Sequence, residues 1–236
     1  MSEFFVEKLM INIMEATMIP KAQVERVVGP ILSMFLEDVL TATFQHDSDL
    51  SGEIKMISPE FPLKKEGNKQ STNVDWLMYN TKRRQLLLVE LKTSDTSINL
   101  SQNIIYHSIQ KTIQNKGCFF LIDDLELLRD ASTESGKYQY ILEKKVSPFR
   151  KEISICQRAK IIYLVPQCVE HKIRKYADKI LTFGMLSNTI TGSFAREWQI
   201  IHKHLCKLDN LSQRSRNRKL PRNQNSQNSV NTTQSR

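Results

Sequence analysis

A glutamate and a lysine near the middle of the chain lie where a buried charged site is expected. Four consecutive apolar residues of the segment QLLLVELK lead directly into Glu90, Leu91 and Lys92. A nearly continuous apolar run of this kind is typical of a central strand that is covered on both faces. Charges at the end of such a strand reduce stability unless they are paired or bind a metal ion. Because strand side chains alternate, Glu90 and Lys92 are predicted to share one face.

A second carboxylate, Asp75, is predicted to lie beside Glu90. If residues 74–79 and 85–92 form an antiparallel hairpin that turns at residues 81–84, the two residue numbers of every pair add up to 165. Asp75 is then paired with Glu90. Directly opposed residues have Cβ atoms about 4.5–5.5 Å apart. Two carboxylates at that distance repel each other without a cation, and Mg²⁺ prefers such oxygen ligands. The turn at 81–84 contains no glycine, and a slip of one residue would send the two acids to opposite faces.

The segment that follows adds two polar residues at helical spacing. Residues 100–114 are predicted to form a helix, in which Gln102 and Tyr106 are four apart and share one face. On its own, a Gln and a Tyr at this spacing usually lie at the edge of the buried face of a helix and have no catalytic role. A Glu and a Lys that are two residues apart likewise usually lie on the solvent-exposed face of a strand. The apolar run before Glu90 and the matching position of Asp75 favour a catalytic role.

These residues are positioned by a predicted mixed α/β domain with an antiparallel set of strands at its start. Helices are predicted at 2–18, 22–28, 31–44, 100–114, 169–177 and 194–207, and strands at 53–61, 74–79, 85–92, 118–121 and 159–165. The helix at 22–28 is expected to end at Gly29-Pro30. We predict one domain at 1–208 and a disordered basic tail at 209–236, because the tail has too few apolar residues to offset its chain entropy.

Composition and charge narrow the class of function. Only seven of the 236 residues are glycine, and neither G-x-x-x-x-G-K-[ST] nor G-x-G-x-x-G occurs, so the common glycine-rich phosphate loops are absent. The formal net charge is +9, of which +5 lies in residues 209–236 and +4 in residues 1–208. A basic chain without these loops suggests a nucleic-acid partner. The tail is either an arm that contacts phosphates or a solvated terminus.

The cysteines and the N-terminus suggest a cytoplasmic protein. The four cysteines are far apart in the sequence, which favours reduced thiols over a disulfide framework. Cys168 and His171 have no second pair with ligand spacing, which argues against a zinc site. The N-terminal segment has acidic residues where a signal peptide has basic ones. No apolar run reaches the roughly 20 residues that span a bilayer, so no membrane partner is expected.

The pattern D-x₁₄-E-x-K after an amphipathic helix, followed by Q-x-x-x-Y, resembles the PD-(D/E)XK nuclease superfamily, which has the restriction-endonuclease-like fold. The Q-x-x-x-Y element resembles the branch that contains phage-type and CRISPR-associated exonucleases. The matching part runs from about residue 31 to residue 122. The chain departs from the pattern in having Val74, where many members have Pro, before Asp75. No Cys₄ constellation is present, so the iron–sulfur cluster of some relatives is not expected.

The resemblance implies a third acid from the helix before the first strand. Glu37 is our choice, because it shares a helical stripe with the apolar residues Leu40 and Phe44. Glu25 is the reserve candidate, and Glu60 on the first predicted strand is a weaker one.

The implied activity is metal-dependent hydrolysis of phosphodiester bonds, and DNA is favoured over RNA as the expected substrate. Asp75, Glu90 and the Leu91 main-chain carbonyl would bind Mg²⁺ or Mn²⁺, Lys92 would position or deprotonate the attacking water, and Gln102 and Tyr106 would orient the DNA backbone or the Lys92 region. The basic residues at 64–65 and 82–84 are more typical of solubilising charge, so they are left out of the site.

Two other interpretations remain open. The chain could be a catalytically silent module that binds nucleic acid, or a nuclease-fold subunit of a defence or repair complex. A homodimer is a further possibility. Retention of Asp, Glu and Lys together favours an active enzyme.

Overall fold

The computed structural model describes residues 3–16, 24–68 and 70–217, apart from the side chains of Thr96 and of residues 210–217. A five-stranded sheet forms the centre of this part of the chain, and its strand order follows the sequence. The strands are β1 (Ile54–Lys64), β2 (Ser71–Asn80), β3 (Gln85–Leu91), β4 (Ala159–Val165) and β5 (Lys179–Thr182). Strands β1, β2 and β3 are antiparallel, whereas β3, β4 and β5 are parallel. The predicted mixed α/β class, with antiparallel strands first, is confirmed.

Helices cover both faces of this sheet. The α-helices of the described residues are α1 (Glu3–Ala16), α2 (Val24–Ser33), α3 (Leu36–Thr43), α4 (Leu100–Lys116), α5 (Phe120–Ala131), α6 (Ser135–Tyr140), α7 (Arg150–Ile155), α8 (Glu170–Ile173) and α9 (Ala195–Asn217). A π-helical segment, Ile141–Val146, follows α6, and short 3₁₀ helices lie at Asp95–Ser97, Ser147–Phe149, Arg174–Tyr176 and Phe183–Met185. Among the described residues, no helix has the length and apolar character needed to cross a membrane.

Strand β3 is the central strand that its apolar sequence predicts, and all seven of its residues are buried. Leu87 and Val89 pack with α1, α2, α3 and α9 on one face. Leu86 and Leu88 pack with α4, α5 and α7 on the other face. By the alternation of strand side chains, Glu90 belongs to the α4 face, where Tyr106 of α4 contacts it. The strand therefore carries its one buried carboxylate into the layer that holds α4.

The N-terminal helices differ from the prediction at Pro30. Helix α2 does not end at Gly29-Pro30 but continues to Ser33, because Val24, Val28 and Leu32 form one buried stripe that extends past the proline. The predicted helix 31–44 is instead broken at residues 34–35, where short i→i−3 hydrogen bonds end α2. The end of the predicted helix 2–18 and the start of 22–28 lie outside the described residues.

The structure differs from the prediction at four further places after α4. The predicted strand 118–121 is a turn that leads into α5, whose buried residues Leu121, Leu125 and Leu128 have helical spacing. A short apolar run cannot be assigned to strand or helix by periodicity alone. The predicted helix 169–177 is shorter, and β5 was not predicted. Helix α9 continues to Asn217, so the first residues of the predicted tail are helical; residues 218–236 lie outside the described residues.

The turn of the β2–β3 hairpin packs tightly against the segment that precedes β1. The buried side chain of Asn80 donates to Leu50 O at 2.6 Å and accepts from the Arg83 amide at 2.9 Å. Gly52 has φ +132, and a Cβ at this position would lie 2.5 Å from the Lys82 Cβ. The hairpin register is therefore fixed at its turn by a contact that leaves no room for a side chain.

Gly52→Ala is expected to lower the free energy of unfolding by about 1–3 kcal/mol, because the backbone is strained for an L-residue and the new methyl group meets Lys82. The matched control is Gly136→Ala in α6, where an added Cβ meets nothing within 4 Å and helix propensity predicts up to about 1 kcal/mol of stabilisation. Urea unfolding measures both. A Gly52→Ala variant as stable as the wild type would contradict the tight contact.

Candidate active site

The β2–β3 hairpin has the predicted register. Its pairing extends to Trp76 and Val89, so the next residue of each strand places Asp75 opposite Glu90. The Asp75 amide is 3.4 Å from Glu90 Oε2, and the Leu91 amide donates to Asp75 Oδ2 at 2.6 Å. The two carboxyl groups are neighbours, as the sequence predicts.

Glu90 and Lys92 form a buried ion pair. The Lys92 Nζ lies 2.5 Å from Glu90 Oε1, and the two side chains are 8% and 1% exposed. The Tyr106 hydroxyl donates to the other oxygen, Oε2, at 2.5 Å. Burial raises the pKa of Glu90, although Lys92 and the hydrogen bonds oppose this. Burial alone would lower the pKa of Lys92, but the charge of Glu90 raises it above its ordinary value. Lys92 is thus held as a cation beside a carboxylate that water barely reaches.

Helix α4 brings Gln102 and Tyr106 to this pair, as predicted. Asn99 caps the helix and accepts from the amide of Gln102 at 3.4 Å, which fixes the first turn. The Gln102 Nε2 donates to the Tyr106 hydroxyl at 2.7 Å and to Asn73 O at 3.0 Å. Lys92 Nζ is 3.5 Å from Gln102 Oε1. The Gln–Tyr pair therefore links α4 to the start of β2 and supports both partners of the ion pair.

Asp75 has a strongly raised pKa. Burial and then the neighbouring charge of Glu90 raise its pKa from 3.8 to about 7, while the hydrogen bond from the Leu91 amide opposes the rise. Tyr106 has a raised pKa as well, from burial and from the charge of Glu90. A carboxyl that is destabilised as an anion by an adjacent carboxylate is the arrangement that a bound cation relieves.

The choice of Glu37 as the third acid is wrong. Glu37 is exposed and accepts a hydrogen bond from the Met56 amide at 2.6 Å. Met56 pairs with Met78, which is three residues along β2 from Asp75, or about 10 Å at the rise of a strand. The reason is the break between α2 and α3, which turns the following helix toward the other end of β1.

The two lesser candidates lie nearer to Asp75. Glu25 and Glu60 line a cleft of about 720 Å³ together with Asp75 and Leu91. Glu25 Oε1 accepts from the Thr93 amide at 2.8 Å, directly after Lys92. Glu60 has φ 48 and follows from the β1–β2 register as the residue opposite Asp75. Glu60 of β1 and Asp75 of β2 therefore lie side by side at this edge of the cleft, and Glu25 of α2 lines the same cleft.

The donor set matches a cation that takes few protein ligands. Within the described ranges, no three His, Cys, Asp or Glu side chains lie close enough together to hold a metal, and both oxygens of Glu90 are in contact with Lys92 and Tyr106. Mg²⁺ commonly binds only one or two carboxylates and keeps several waters. Asp75 lines the cleft and meets that requirement, whereas Glu90 would bind a cation only by giving up its contact with Lys92 or Tyr106.

Sequence reasoning missed Tyr163 and Asn103. Tyr163 of β4 pairs with Glu90 in the parallel register, and its hydroxyl donates to Asn103 Oδ1 of α4. Burial and the charges of Glu90 and Asp75 raise the pKa of Tyr163. A tyrosine within an apolar strand segment is the only signal in the sequence, and it does not reveal which residue of β3 lies opposite.

No family model, curated protein or solved structure matches this chain.

The raised pKa of Asp75 predicts a pH-dependent stability. Between about pH 4 and the folded-state value of about 7, the folded protein binds a proton that the unfolded chain releases, so the free energy of unfolding falls as the pH rises. Three pKa units correspond to about 4 kcal/mol. Asp75→Asn cannot ionise, so its free energy of unfolding should not fall in this way as the pH rises. At about pH 8 the variant is expected to be more stable than the wild type by up to about 4 kcal/mol, and near pH 4 the two proteins should be equally stable.

Thermal or urea unfolding of the two proteins across this pH range, with and without Mg²⁺, measures the effect. Mg²⁺ is expected to stabilise the wild type at high pH and to leave Asp75→Asn unchanged. Asp49→Asn, an exposed acid before β1, is the control and should follow the wild type. A difference between wild type and Asp75→Asn that does not change with pH would contradict the raised pKa.

Proposed function

We propose that this protein is a metal-dependent nuclease that hydrolyses phosphodiester bonds of DNA at the Asp75–Glu90–Lys92 site. The observation that carries the proposal is the hairpin register, which sets Asp75 against Glu90 with Lys92 2.5 Å from Glu90. Tyr106 contacts the same carboxylate and Gln102 Oε1 lies 3.5 Å from Lys92 Nζ, so every element of the D…E-x-K and Q-x-x-x-Y pattern converges. We also propose that the sheet belongs to the restriction-endonuclease-like fold.

The residues of this site have distinct roles in the proposed reaction. The Lys92 ammonium group would orient the attacking water and stabilise the negative charge that develops on the phosphate. Tyr106 and Gln102 would hold the Glu90 carboxylate and the Lys92 amine in place. Asp75, open to the cleft, would face the substrate.

Asp75, Glu90 and the Leu91 carbonyl would hold Mg²⁺ or Mn²⁺, which when bound supplies a water of lowered pKa and a positive charge next to the phosphate. Among the acidic residues of the helices before β1, Glu25 of α2 fits the proposed metal site best, because it lines the cleft with Asp75. We propose a cytoplasmic protein that acts on nucleic acid, alone, as a homodimer or within a defence or repair complex.

A second candidate is a catalytically silent nuclease-fold module that binds nucleic acid. The observation in its favour is that Lys92 and Tyr106 already occupy both oxygens of Glu90 and that, in the described part of the chain, three acids do not gather around one point. This candidate predicts salt-dependent DNA binding that neither metal nor Asp75→Asn alters.

The test is cleavage of labelled linear double-stranded DNA, single-stranded DNA and RNA by the purified full chain in Mg²⁺, Mn²⁺ or EDTA. We expect cleavage of DNA in the two metals and none in EDTA. Asp75→Asn should lower the rate by about 100-fold or more, whereas the exposed control Asp49→Asn should not. Intact substrates in every metal, or equal cleavage in EDTA, would refute the enzyme. Binding without cleavage would support the silent module.

A further inference from the structure

Two cysteines from different helical segments meet on the α4 side of the sheet. The Cys118 amide donates to Cys156 O at 2.8 Å. The thiols lie 3.9 and 3.2 Å from the same acceptor, Arg158 O, and the Cys118 thiol hydrogen-bonds to the Cys156 sulfur. Both residues are fully buried and unpaired. The two sulfur atoms are therefore directed into one small space.

This placement is compatible with a disulfide. Disulfide-linked residues usually have Cα atoms about 4.4–6.8 Å apart, and the hydrogen bond from the Cys118 amide to Cys156 O brings the two backbones into direct contact. The positions are also held by separate anchors. Cys118 follows Gly117, which ends α4 with φ 79, and Cys156 caps the C-terminal end of α7, three residues before β4 begins at Ala159. The hydrogen bond from the Cys118 amide to Cys156 O joins these two segments directly.

We propose that Cys118 and Cys156 are an oxidation site, at which a peroxide converts the two thiols into a disulfide. The inference stands apart from the proposed nuclease activity. The disulfide would join the C-terminal end of α4 to the start of β4, whereas Gln102 and Tyr106 lie in the N-terminal half of α4.

The oxidation proceeds in two balanced steps. The Cys156 thiolate attacks a peroxide oxygen, the O–O bond breaks, and Cys156 becomes a sulfenic acid while hydroxide leaves as water. The Cys118 sulfur then attacks the Cys156 sulfur, the S–O bond breaks, and a second water leaves. Two thiols lose two electrons in all, and one hydrogen peroxide accepts them.

The local environment assigns the two roles. The hydrogen bond from Cys118 is the main cause that lowers the pKa of Cys156 to about 7, which favours the thiolate. The pKa of Cys118 is raised, by the same hydrogen bond and by burial, as suits the resolving thiol. Cys156 itself is fully buried, but it lies between the exposed residues Ile155 and Gln157, so the segment that carries it is at the protein surface.

Oxidation should also make the helical layer harder to unfold. The disulfide closes a loop from residue 118 to residue 156 that contains α5, α6 and α7. Closing a loop of this length restricts the unfolded chain, and we expect the melting temperature to rise by about 5–15 °C.

The experiment treats the full-length protein with hydrogen peroxide, blocks the remaining thiols with N-ethylmaleimide and digests the product with trypsin. We expect peptides 117–129 and 152–158 to be joined, two thiols to remain alkylated at Cys168 and Cys206, and dithiothreitol to reverse both the linkage and the shift in melting temperature. The measurement on wild-type protein needs no substitution, so it does not depend on whether a variant folds.

Variants then sharpen the result. Cys118→Ser should stop at a sulfenic acid on Cys156, detectable with a dimedone probe, and Cys206→Ser should form the disulfide as the wild type does. Alkylation of both Cys118 and Cys156 after oxidation would overturn the proposal, as would a linkage that involves Cys168 or Cys206. Nuclease activity is not read in this experiment, so its outcome is independent of the proposed function.

Discussion

Lys92→Met is expected to reduce the rate of Mg²⁺-dependent DNA cleavage by about 10²–10³-fold. Methionine keeps an unbranched stem of similar length but removes the charge that lies 2.5 Å from Glu90. Only 8% of the Lys92 side chain is exposed, so water cannot replace the lost ammonium group. The interaction is needed most when charge develops on the phosphate, and the loss should therefore appear in kcat more than in KM.

Single-turnover cleavage with excess protein measures this effect, at a temperature at which circular dichroism shows the variant to be folded. Lys137→Met is the matched control, since it removes an exposed lysine from the surface pair with Glu134 and should leave the rate unchanged. A Lys92→Met protein that cleaves DNA within about twofold of the wild-type rate would show that Lys92 has no catalytic role. An equal loss of cleavage rate in both variants would show that the effect comes from the change in net charge and not from the position of Lys92.

Removing only one partner of the Glu90–Lys92 pair is expected to cost about 3–5 kcal/mol of unfolding free energy. The cause is the charge left behind, because neither side chain is more than 8% exposed. The double variant Glu90→Leu/Lys92→Met leaves no buried charge at these positions. It should therefore be more stable than either single variant, and the three variants together with the wild type give the coupling energy of the pair. This prediction holds whether or not the protein is an enzyme.

Urea unfolding of the wild type, both single variants and the double variant completes the cycle. The pair Glu134–Lys137, with side chains 61% and 71% exposed, provides a surface control for which the coupling should not exceed about 0.5 kcal/mol. Additive losses at Glu90 and Lys92 would contradict a directly interacting buried pair. Acidification should weaken the penalty of Lys92→Met, because burial raises the pKa of Glu90 and the isolated carboxyl can then take up a proton.

The parts of the site that could be predicted depend on short-range patterns. Strand β3 is recognisable from its continuous apolar sequence, and the hairpin register follows from the numbers once both strands are found. The glycine-free turn at 81–84 did not shift this register, since Arg84 adopts the positive φ of 49 that a glycine would otherwise supply. Gln102 and Tyr106 need only the spacing of one helix. Each of these relations is between residues that lie within about two helical turns or within one hairpin of each other.

The parts that could not be predicted depend on where separate segments meet. Glu37 was favoured over Glu25 because an unbroken helix from residue 31 was assumed, and the break at 34–35 changes the direction of α3. Tyr163 reaches Glu90 only through the parallel pairing of β4 with β3. The sequence does not encode such a register locally, because a long helical segment separates the two strands. For the same reason, the sequence does not show that Cys118 and Cys156 lie next to each other.

One contact of the hairpin has a spectroscopic consequence. Near the end of β3, the Lys92 amide is bound by Leu164 O of β4, but the Leu91 amide is bound by the side chain of Asp75. A carboxylate is a stronger acceptor than a neutral carboxyl group, so the proton shift and solvent exchange of this one amide follow the charge on Asp75. The Leu91 amide is therefore an NMR reporter of the charge on Asp75 of the neighbouring strand, and it lies between Glu90 and Lys92.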